Sequence, residues 1–210
     1  MSHPSSPGLL ALHGVRVLGG PSVEMIANRF DLPVAVVREH LLDAQAVGWV
    51  SRHEFLGETW SLTDLGRRVN ERMLAEELAA THTAGLVRQT HREFLPLNAR
   101  HGQACTGWQL TPTHAGRSVV NDHTDPIRDD RILAELEDID GEFTRITSGL
   151  ASALARFDGY ARAHTAALAR ARAGQPGWID APDRGSCQLV WIQFHEDLLA
   201  TLGIPRGSDT

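Results

Sequence analysis

The stretch from Pro21 to Arg68 constrains the fold more than any other part of this 210-residue sequence. Ser22 precedes a run with apolar residues on one helical face, so its hydroxyl can cap a helix by accepting a hydrogen bond from a backbone amide. Pro33 suits the first turn of a second helix, because its missing N–H group costs nothing there. An apolar stripe with three- and four-residue spacing marks the buried side of that second helix: Val34, Val37, Leu41 and Ala44. Two short consecutive helices are therefore predicted.

The remainder of this stretch predicts a two-stranded hairpin and then a further helix. Gly48 can end the second helix, because glycine readily adopts a left-handed conformation. Side chains alternate from Val50 to Phe55 as in a short strand, and Gly57 lies where a tight hairpin needs a residue that tolerates a positive φ. Thr63 can cap a helix that runs to about Ala80. The predicted order is thus helix, turn, helix and a two-stranded wing.

This stretch resembles the winged helix-turn-helix of MarR-type transcriptional regulators. The segment Trp60-Ser61-Leu62-Thr63-Asp64-Leu65-Gly66-Arg67 matches that family's second wing strand running into a capped helix. The resemblance implies a mainly α protein whose N-terminal winged helix-turn-helix binds double-stranded DNA. It also implies a homodimer whose activity a small-molecule effector controls. Winged helices also bind proteins, so the fold alone does not assign the partner.

The composition is that of an ordinary globular protein, with 42% hydrophobic and 22% charged residues and a net charge of −6. Residues 1–80 hold 7 arginines against 10 acidic side chains, and residues 81–210 hold 13 against 16. Neither half has the positive excess that attracts phosphates non-specifically, so DNA contact requires local placement of arginine. The sequence has no secretion signal and no apolar run long enough to cross a membrane. We therefore expect a cytoplasmic protein without membrane contact, whose two cysteines are reduced.

The chain as a whole predicts a disordered tail and two domains. Residues 1–8 form the expected tail, residues 9–80 the winged helix-turn-helix domain, and residues 84–210 a helical domain for effector sensing and dimerisation. Within the last domain, apolar spacing predicts a helical bundle of four helices. These helices and the two loops between them are placed as follows: helices at 84–110, 127–155, 157–173 and 186–202, and loops at 111–126 and 174–185.

The second half resembles a group of actinobacterial proteins in which a MarR-like winged helix precedes a helical domain. Four segments carry this resemblance: Phe94-Leu95-Pro96-Leu97-Asn98, Cys105-Thr106-Gly107-Trp108-Gln109-Leu110, Asn121-Asp122-His123-Thr124-Asp125-Pro126 and Trp191-Ile192-Gln193-Phe194-His195-Glu196-Asp197-Leu198-Leu199. Some members of the group are described as transcriptional regulators. Similar segments also occur attached to, or associated with, proteins like pyruvate phosphate dikinase. This second association suggests a phosphotransfer enzyme as an alternative protein partner.

The predicted DNA contacts are basic side chains of the winged helix-turn-helix: Arg29, Arg38, Arg52, His53 and Arg67. In a helix-turn-helix the second helix enters the major groove. Its outward side here would show Ala35, Glu39, Asp43 and Ala46, which is acidic and apolar. The wing residues Arg52 and His53 are better placed for the DNA backbone or the minor groove.

The predicted ligand pocket is a row of polar and aromatic residues on the helix at 84–110, together with one histidine of the last helix: His91, Asn98, His101, Cys105, Trp108 and His195. Burying polar groups without partners costs about 1–3 kcal/mol each. The row is therefore either the polar wall of a small-molecule pocket or a set of core residues that bond to one another. Candidate partners are His164, His195, Asp197 and the segment 122–125.

Metal binding and catalysis are weaker alternatives. His91 with His195, or His123 with Asp125, offers metal ligands, but neither pair has the specificity of a paired CxxC or HExxH motif. Cys105 and His101 are spaced as a thiolate–imidazole pair. No nucleophile elbow, phosphate-binding glycine loop or dinucleotide fingerprint accompanies them. The sequence therefore predicts no catalytic residues, no metal and no cofactor, and an enzyme on a repurposed regulator fold is the least favoured function.

Overall fold

The computed structural model describes residues 2–55, 57–112 and 117–208, and these residues form a mainly α protein, as predicted. The helices are α1 Pro7–Leu18, α2 Val23–Phe30, α3 Val34–Ala46, α4 Asp64–Thr81, α5 Ala84–Gln109, α6 Pro126–Ala153, α7 Tyr160–Arg172 and α8 Cys187–Leu202, with short 3-10 helices at Ala155–Phe157 and Pro176–Trp178. The strands are β1 Val50–His53, β2 Thr59–Leu62, β3 Leu110–Pro112 and β4 Ser118–Val120, paired as the antiparallel hairpins β1–β2 and β3–β4.

The predicted caps and turns in the N-terminal part are present. The Ser22 hydroxyl accepts from the Met25 amide at 3.3 Å, and the Thr63 hydroxyl accepts from the Gly66 amide at 3.0 Å. Pro33 immediately precedes α3, and Gly48 follows that helix with a φ of 75°. The interpretation of the N-terminal stretch as two short helices, a hairpin and a capped helix therefore holds at the level of secondary structure.

Helices α1 to α4 and the β1–β2 hairpin pack around one apolar core. Its central side chains are Leu12, Val15, Ile26, Val37, Leu41, Trp60 and Val69. Val37 and Leu41 come from the apolar stripe that predicted the buried side of α3. Val34 was placed on that stripe as well but is 42% exposed, because it is the first residue of the helix and projects beyond the core.

The chain divides into two compact units. Unit 1 comprises Met1–Arg88, Ala151–Phe157 and Gln193–Thr210, and unit 2 comprises Gln89–Leu150 and Asp158–Ile192. The segment predicted as a disordered tail has defined partners in unit 1. The His3 amide donates to the Ala153 carbonyl at 2.8 Å, and Ser6 caps α1 by accepting from the Leu9 amide. The sequence gives no sign of this pairing, because the partner lies about 150 residues away.

Unit 2 contains a hairpin where the sequence predicted a loop. β3 and β4 pair Leu110 with Val120 and Pro112 with Ser118, inside or next to the predicted loop at 111–126. Each strand has only three residues, too few for the alternation that marks a strand. Residues 113–116 of that loop lie outside the described part of the chain. The apolar core of unit 2 includes Cys105, Trp108, Leu136, Leu168, Ile179 and Cys187.

No helix in the described part of the chain is both long and apolar enough to cross a membrane.

Candidate functional site

The predicted contacts on the hairpin and on α4 lie on the surface of unit 1. Arg52 and His53 are exposed at the end of β1, where Arg52 pairs with Glu54 and the His53 ring bonds to the Ser61 hydroxyl at 2.8 Å. Arg67 is exposed in the first turn of α4, and its side chain makes no ion pair with any described residue. Arg67 is therefore available to an external partner, whereas Arg52 and His53 are exposed but already bonded within the hairpin.

The other two predicted contacts are held by groups within unit 1. Arg38 on α3 bonds to both carboxylate oxygens of Glu58, at 3.0 and 3.2 Å, and lies 3.6 Å from a carboxylate oxygen of Glu24. Arg29 on α2 is half-buried and donates to the Arg156 carbonyl at 2.9 Å. Much of the charge of Arg38 is thus offset before any partner binds.

The outward side of α3 is acidic and apolar, as the sequence predicted. Four positions of that side are exposed: Ala35, Glu39, Asp43 and Ala46. Leu42 and Val47 are 45% and 55% exposed on the same helix or directly after it. The exposed arginines of this part of unit 1 lie on the hairpin, at Arg52, and at the start of α4, at Arg67 and Arg68.

The start of α4 packs closely against the backbone that precedes β1. The Thr63 hydroxyl donates to the Gly48 carbonyl at 2.7 Å, and the Thr63 amide donates to the Trp49 carbonyl at 3.0 Å. A Cβ atom added to Gly66 would lie 1.9 Å from the Trp49 carbonyl oxygen. Only glycine allows this approach, which explains why residue 66 is glycine.

Unit 1 also contains a buried ion network that the sequence did not predict. The Arg156 guanidinium donates to Glu77 at 2.9 Å, to Asp197, and to the Thr201 hydroxyl at 2.8 Å. Arg156 is 3% exposed and Asp197 is fully buried. His13 Nε2 lies 3.0 Å from an Asp197 oxygen. The only local sign was an arginine between apolar residues at Leu154-Ala155-Arg156-Phe157.

The neighbouring basic groups keep Asp197 ionised. Burial by itself raises the pKa of Asp197, but the charge of Arg156, together with the nearby His13 ring, outweighs it. The pKa of Asp197 therefore lies well below its usual range. In a buried ion pair, removing one partner lowers the free energy of unfolding, because the other charge is left buried without compensation.

In unit 2 the structure brings together three of the predicted pocket residues as packed core. The His101 ring stacks on Trp191, with centroids 4.1 Å apart and an angle of 4° between the planes. Its Nδ1 lies 3.6 Å from the Cys105 sulfur. Trp191 Nε1 donates to Asn98 at 2.8 Å. These contacts favour the interpretation that His101 and Cys105 are core residues with satisfied partners.

A second histidine and a carboxylate extend this cluster. His101 Nε2 lies 3.4 Å from His164 Nε2, and His164 Nδ1 lies 2.6 Å from an Asp140 oxygen. Burial, and to a lesser degree the neighbouring His164, lower the pKa of His101 to about 3. The His101 ring is therefore neutral at neutral pH. The sequence offers His164 as a candidate partner of this row, whereas the position of Asp140 on α6 carries no local signal.

The other predicted pocket residues have separate surroundings. His91 is buried in unit 2, and His195 is half-buried and belongs to unit 1. Trp108 lines a surface cavity of about 370 Å³ together with Asn121 and His123. Asn98, which accepts the Trp191 hydrogen bond, also lines a surface cavity of about 590 Å³.

The groups considered for metal binding or catalysis have other partners. The His123 ring bonds to Asp129 at 2.8 Å, and Asp125 accepts the Ile127 and Arg128 amides at the start of α6. Within the described ranges, no three His, Cys, Asp or Glu side chains are grouped closely enough to hold a metal ion. Burial, and secondarily Asp180, raise the pKa of Cys105 to about 12. The thiol is therefore protonated at neutral pH and is a poor nucleophile.

No family model, no curated protein and no solved structure matches this chain.

Proposed function

We propose that unit 1 contains a winged helix-turn-helix and that the protein is a MarR-like, cytoplasmic transcriptional regulator that binds double-stranded DNA as a homodimer. The observation that carries this proposal is the order and packing of α2, α3 and the β1–β2 hairpin. Two short helices joined by a three-residue turn share one core with a hairpin, and the outer side of the second helix is exposed. This is the arrangement by which a helix-turn-helix places a helix in the major groove.

We expect the exposed basic side chains of the hairpin and of α4 to supply most of the affinity. Phosphate contacts supply most of the sequence-independent affinity for DNA. Arg52 and His53 on β1 and Arg67 on α4 are exposed donors suited to phosphate oxygens. Glu39 on α3 can accept from the exocyclic amine of cytosine, so an acidic helix reads a cytosine-containing site at some cost in affinity.

The double variant Arg52→Ala/Arg67→Ala is expected to bind DNA about 10-fold to 100-fold more weakly than the wild type. Two phosphate donors are lost, so the slope of log affinity against log salt should also fall by about 2. Fluorescence anisotropy with a duplex from the region upstream of the protein's own gene measures both quantities.

Arg162→Ala is the matched control for this measurement, because Arg162 has a 75% exposed side chain and belongs to unit 2. Its affinity for the duplex should equal that of the wild type. Equal affinities of the double variant and the wild type would refute the assignment of the hairpin and α4 to DNA binding.

Unit 2 is assigned to regulation in this proposal. An effector bound there would act by stabilising one of two arrangements of the homodimer, which requires different affinities for the two. The six residues predicted from sequence as a pocket are divided between the packed cluster around Trp191 and other surroundings. We therefore expect the effector to bind at a cavity and not within that cluster.

A second candidate function is binding of a protein partner through α3, such as a phosphotransfer enzyme. The exposed apolar side chains Val34, Leu42 and Val47 beside Glu39 and Asp43 favour it, since such a surface complements a partner that is basic and partly apolar.

The charge reversal Glu39→Lys/Asp43→Lys separates the two candidates. If α3 faces DNA, removing two carboxylates and adding two ammonium groups should raise affinity for the upstream duplex at least about 10-fold at low salt. Exposed Asp158→Lys/Asp183→Lys in unit 2 makes the same change of net charge and serves as the control. Equal affinities of the two double variants would show that α3 does not meet DNA, and would favour the protein partner.

A further inference from the structure

An open surface cavity of about 590 Å³ lies in unit 2 on one side of α5. It is bounded by α5, the β3–β4 hairpin and Arg128 of α6, and its volume is in the range of small-molecule sites in proteins. The lining residues are Asn98, Ala99, Gly102, Gln103, Thr106, Gly107, Leu110, Pro112, Ser118 and Arg128.

The charge of this cavity is positive. Arg128 lines it, and no acidic side chain occurs among the described residues of its wall. The acidic neighbours of Arg128 in sequence are engaged elsewhere: Asp125 accepts backbone amides, Asp129 bonds to His123, and Asp130 pairs with Arg172. An anion in the cavity therefore meets a guanidinium without a competing carboxylate in the wall.

The guanidinium of Arg128 is only partly satisfied. Its Nη2 donates to the Leu110 carbonyl at 2.8 Å, whereas its Nη1 is buried without an acceptor among the described residues. A buried charged donor without a partner costs free energy. The planar fork of a guanidinium matches a carboxylate, which can accept two parallel N–H bonds. For Arg128 this contact requires the half-buried side chain to turn Nη1 toward the cavity.

The rest of the wall suits a small ligand with an apolar body. Gly102 leaves the helix surface bare, because nothing lies within 4 Å of a Cβ added there, whereas a Cβ added at Gly107 would lie 3.6 Å from the Ile132 side chain and 4.0 Å from Arg128 Nη2. Leu110 and Pro112 of β3 supply apolar surface. Asn98 accepts the Trp191 indole N–H with its oxygen, which leaves its amide NH₂ group as a donor.

We infer that this cavity binds a small organic anion, with a carboxylate held by Arg128 and an apolar body lying over the glycines of α5. The inference goes beyond the proposed DNA binding and does not depend on it, because the ligand and its site are confined to unit 2. If the protein is a regulator, such an anion is the chemical class of its effector.

Three saturated probes of one shape test the inference in the full-length protein: cyclohexanecarboxylate, cyclohexanecarboxamide and cyclohexanecarboxamidine. They carry negative, zero and positive charge, respectively. Tryptophan fluorescence remains usable as a second signal of binding. Isothermal titration should give saturable binding of the carboxylate with a Kd of about 1 mM. The amide should bind at least about 10-fold more weakly and the amidine not measurably.

Two variants locate the site. Arg128→Gln should weaken carboxylate binding at least about 10-fold, whereas Arg131→Gln, an exposed arginine three residues further along α6 that does not line the cavity, should have no effect. Gly102→Leu keeps every charge, favours the helix and fills the cavity, so it should abolish binding.

Absence of saturable carboxylate binding up to about 20 mM would overturn the inference, given the weak affinity expected of so small a probe. Equal losses in Arg128→Gln and Arg131→Gln, or full binding by Gly102→Leu, would do the same. A thermal melt of Arg128→Gln shows whether this variant is folded. If Arg128→Gln is unstable, carboxylate binding by Gly102→Leu tests the location of the site instead.

Discussion

Replacing Arg156 by methionine is expected to lower the free energy of unfolding by about 3–5 kcal/mol. The change removes the guanidinium that bonds to Glu77, Asp197 and Thr201 inside unit 1. Two carboxylates are then left buried without their main partner, and taking unpaired charge out of water is costly. Urea denaturation followed by circular dichroism measures the loss.

Arg162→Met is the control, because it is the same substitution at an arginine whose side chain is 75% exposed and paired with an exposed Asp158. Exposed pairs of this kind are worth about 0–1 kcal/mol, so this variant should unfold nearly as the wild type does. A loss below about 1 kcal/mol in Arg156→Met would show that the network contributes little beyond what an apolar side chain of similar length supplies.

The loss caused by Arg156→Met should depend on pH in a defined direction. In the wild type the pKa of Asp197 lies below that of the unfolded chain, so its ionisation stabilises the fold above about pH 4 and this contribution disappears as the pH falls. Without Arg156, burial favours the protonated form of Asp197. The difference between variant and wild type should therefore be largest near pH 7 and should shrink on acidification.

Gly66→Ala is expected to cost about 3 kcal/mol or more, although alanine is the better helix former. The added Cβ would lie 1.9 Å from the Trp49 carbonyl oxygen and 2.7 Å from its carbonyl carbon. Both contacts are with backbone, so α4 must move away from the segment before β1. That movement stretches the hydrogen bonds of Thr63 to Gly48 and Trp49.

Gly85→Ala provides the matched control for Gly66→Ala. Gly85 lies in α5 within unit 1, and nothing lies within 4 Å of a Cβ added there. Alanine should stabilise the protein at this position by up to about 1 kcal/mol. Equal and small effects of the two substitutions in urea denaturation would contradict the close approach of Gly66 to Trp49.

Local chemistry made the helices and the first hairpin predictable from sequence. The Ser22 and Thr63 hydroxyls accept the hydrogen bonds from backbone amides that their positions predicted. Gly48 has the positive φ expected after α3. Such signals involve residues three or four apart, so they can be read without knowing the fold. The short strands β3 and β4 gave no comparable signal, because three residues do not establish an alternating pattern.

Long-range pairing explains what the sequence could not reveal about the candidate sites. Arg38 was predicted as a DNA contact from its helix position, but Glu58 of the hairpin, twenty residues later, engages it. Arg156 and Asp197 are 41 residues apart and meet only in the folded chain. The cavity beside Arg128 likewise depends on where β3 lies against α5, which no local pattern specifies.

The composition of unit 1 from Met1–Arg88, Ala151–Phe157 and Gln193–Thr210 has a consequence for synthesis of the protein. When the first 88 residues have left the ribosome, His13 and Glu77 still lack the arginine and aspartate that satisfy them in the native state. The first 88 residues can collapse around their apolar core, but His13 and Glu77 stay accessible to water until α8 has been synthesised. A genetic fragment that stops near residue 80 would keep the helix-turn-helix and lose the groups that complete it.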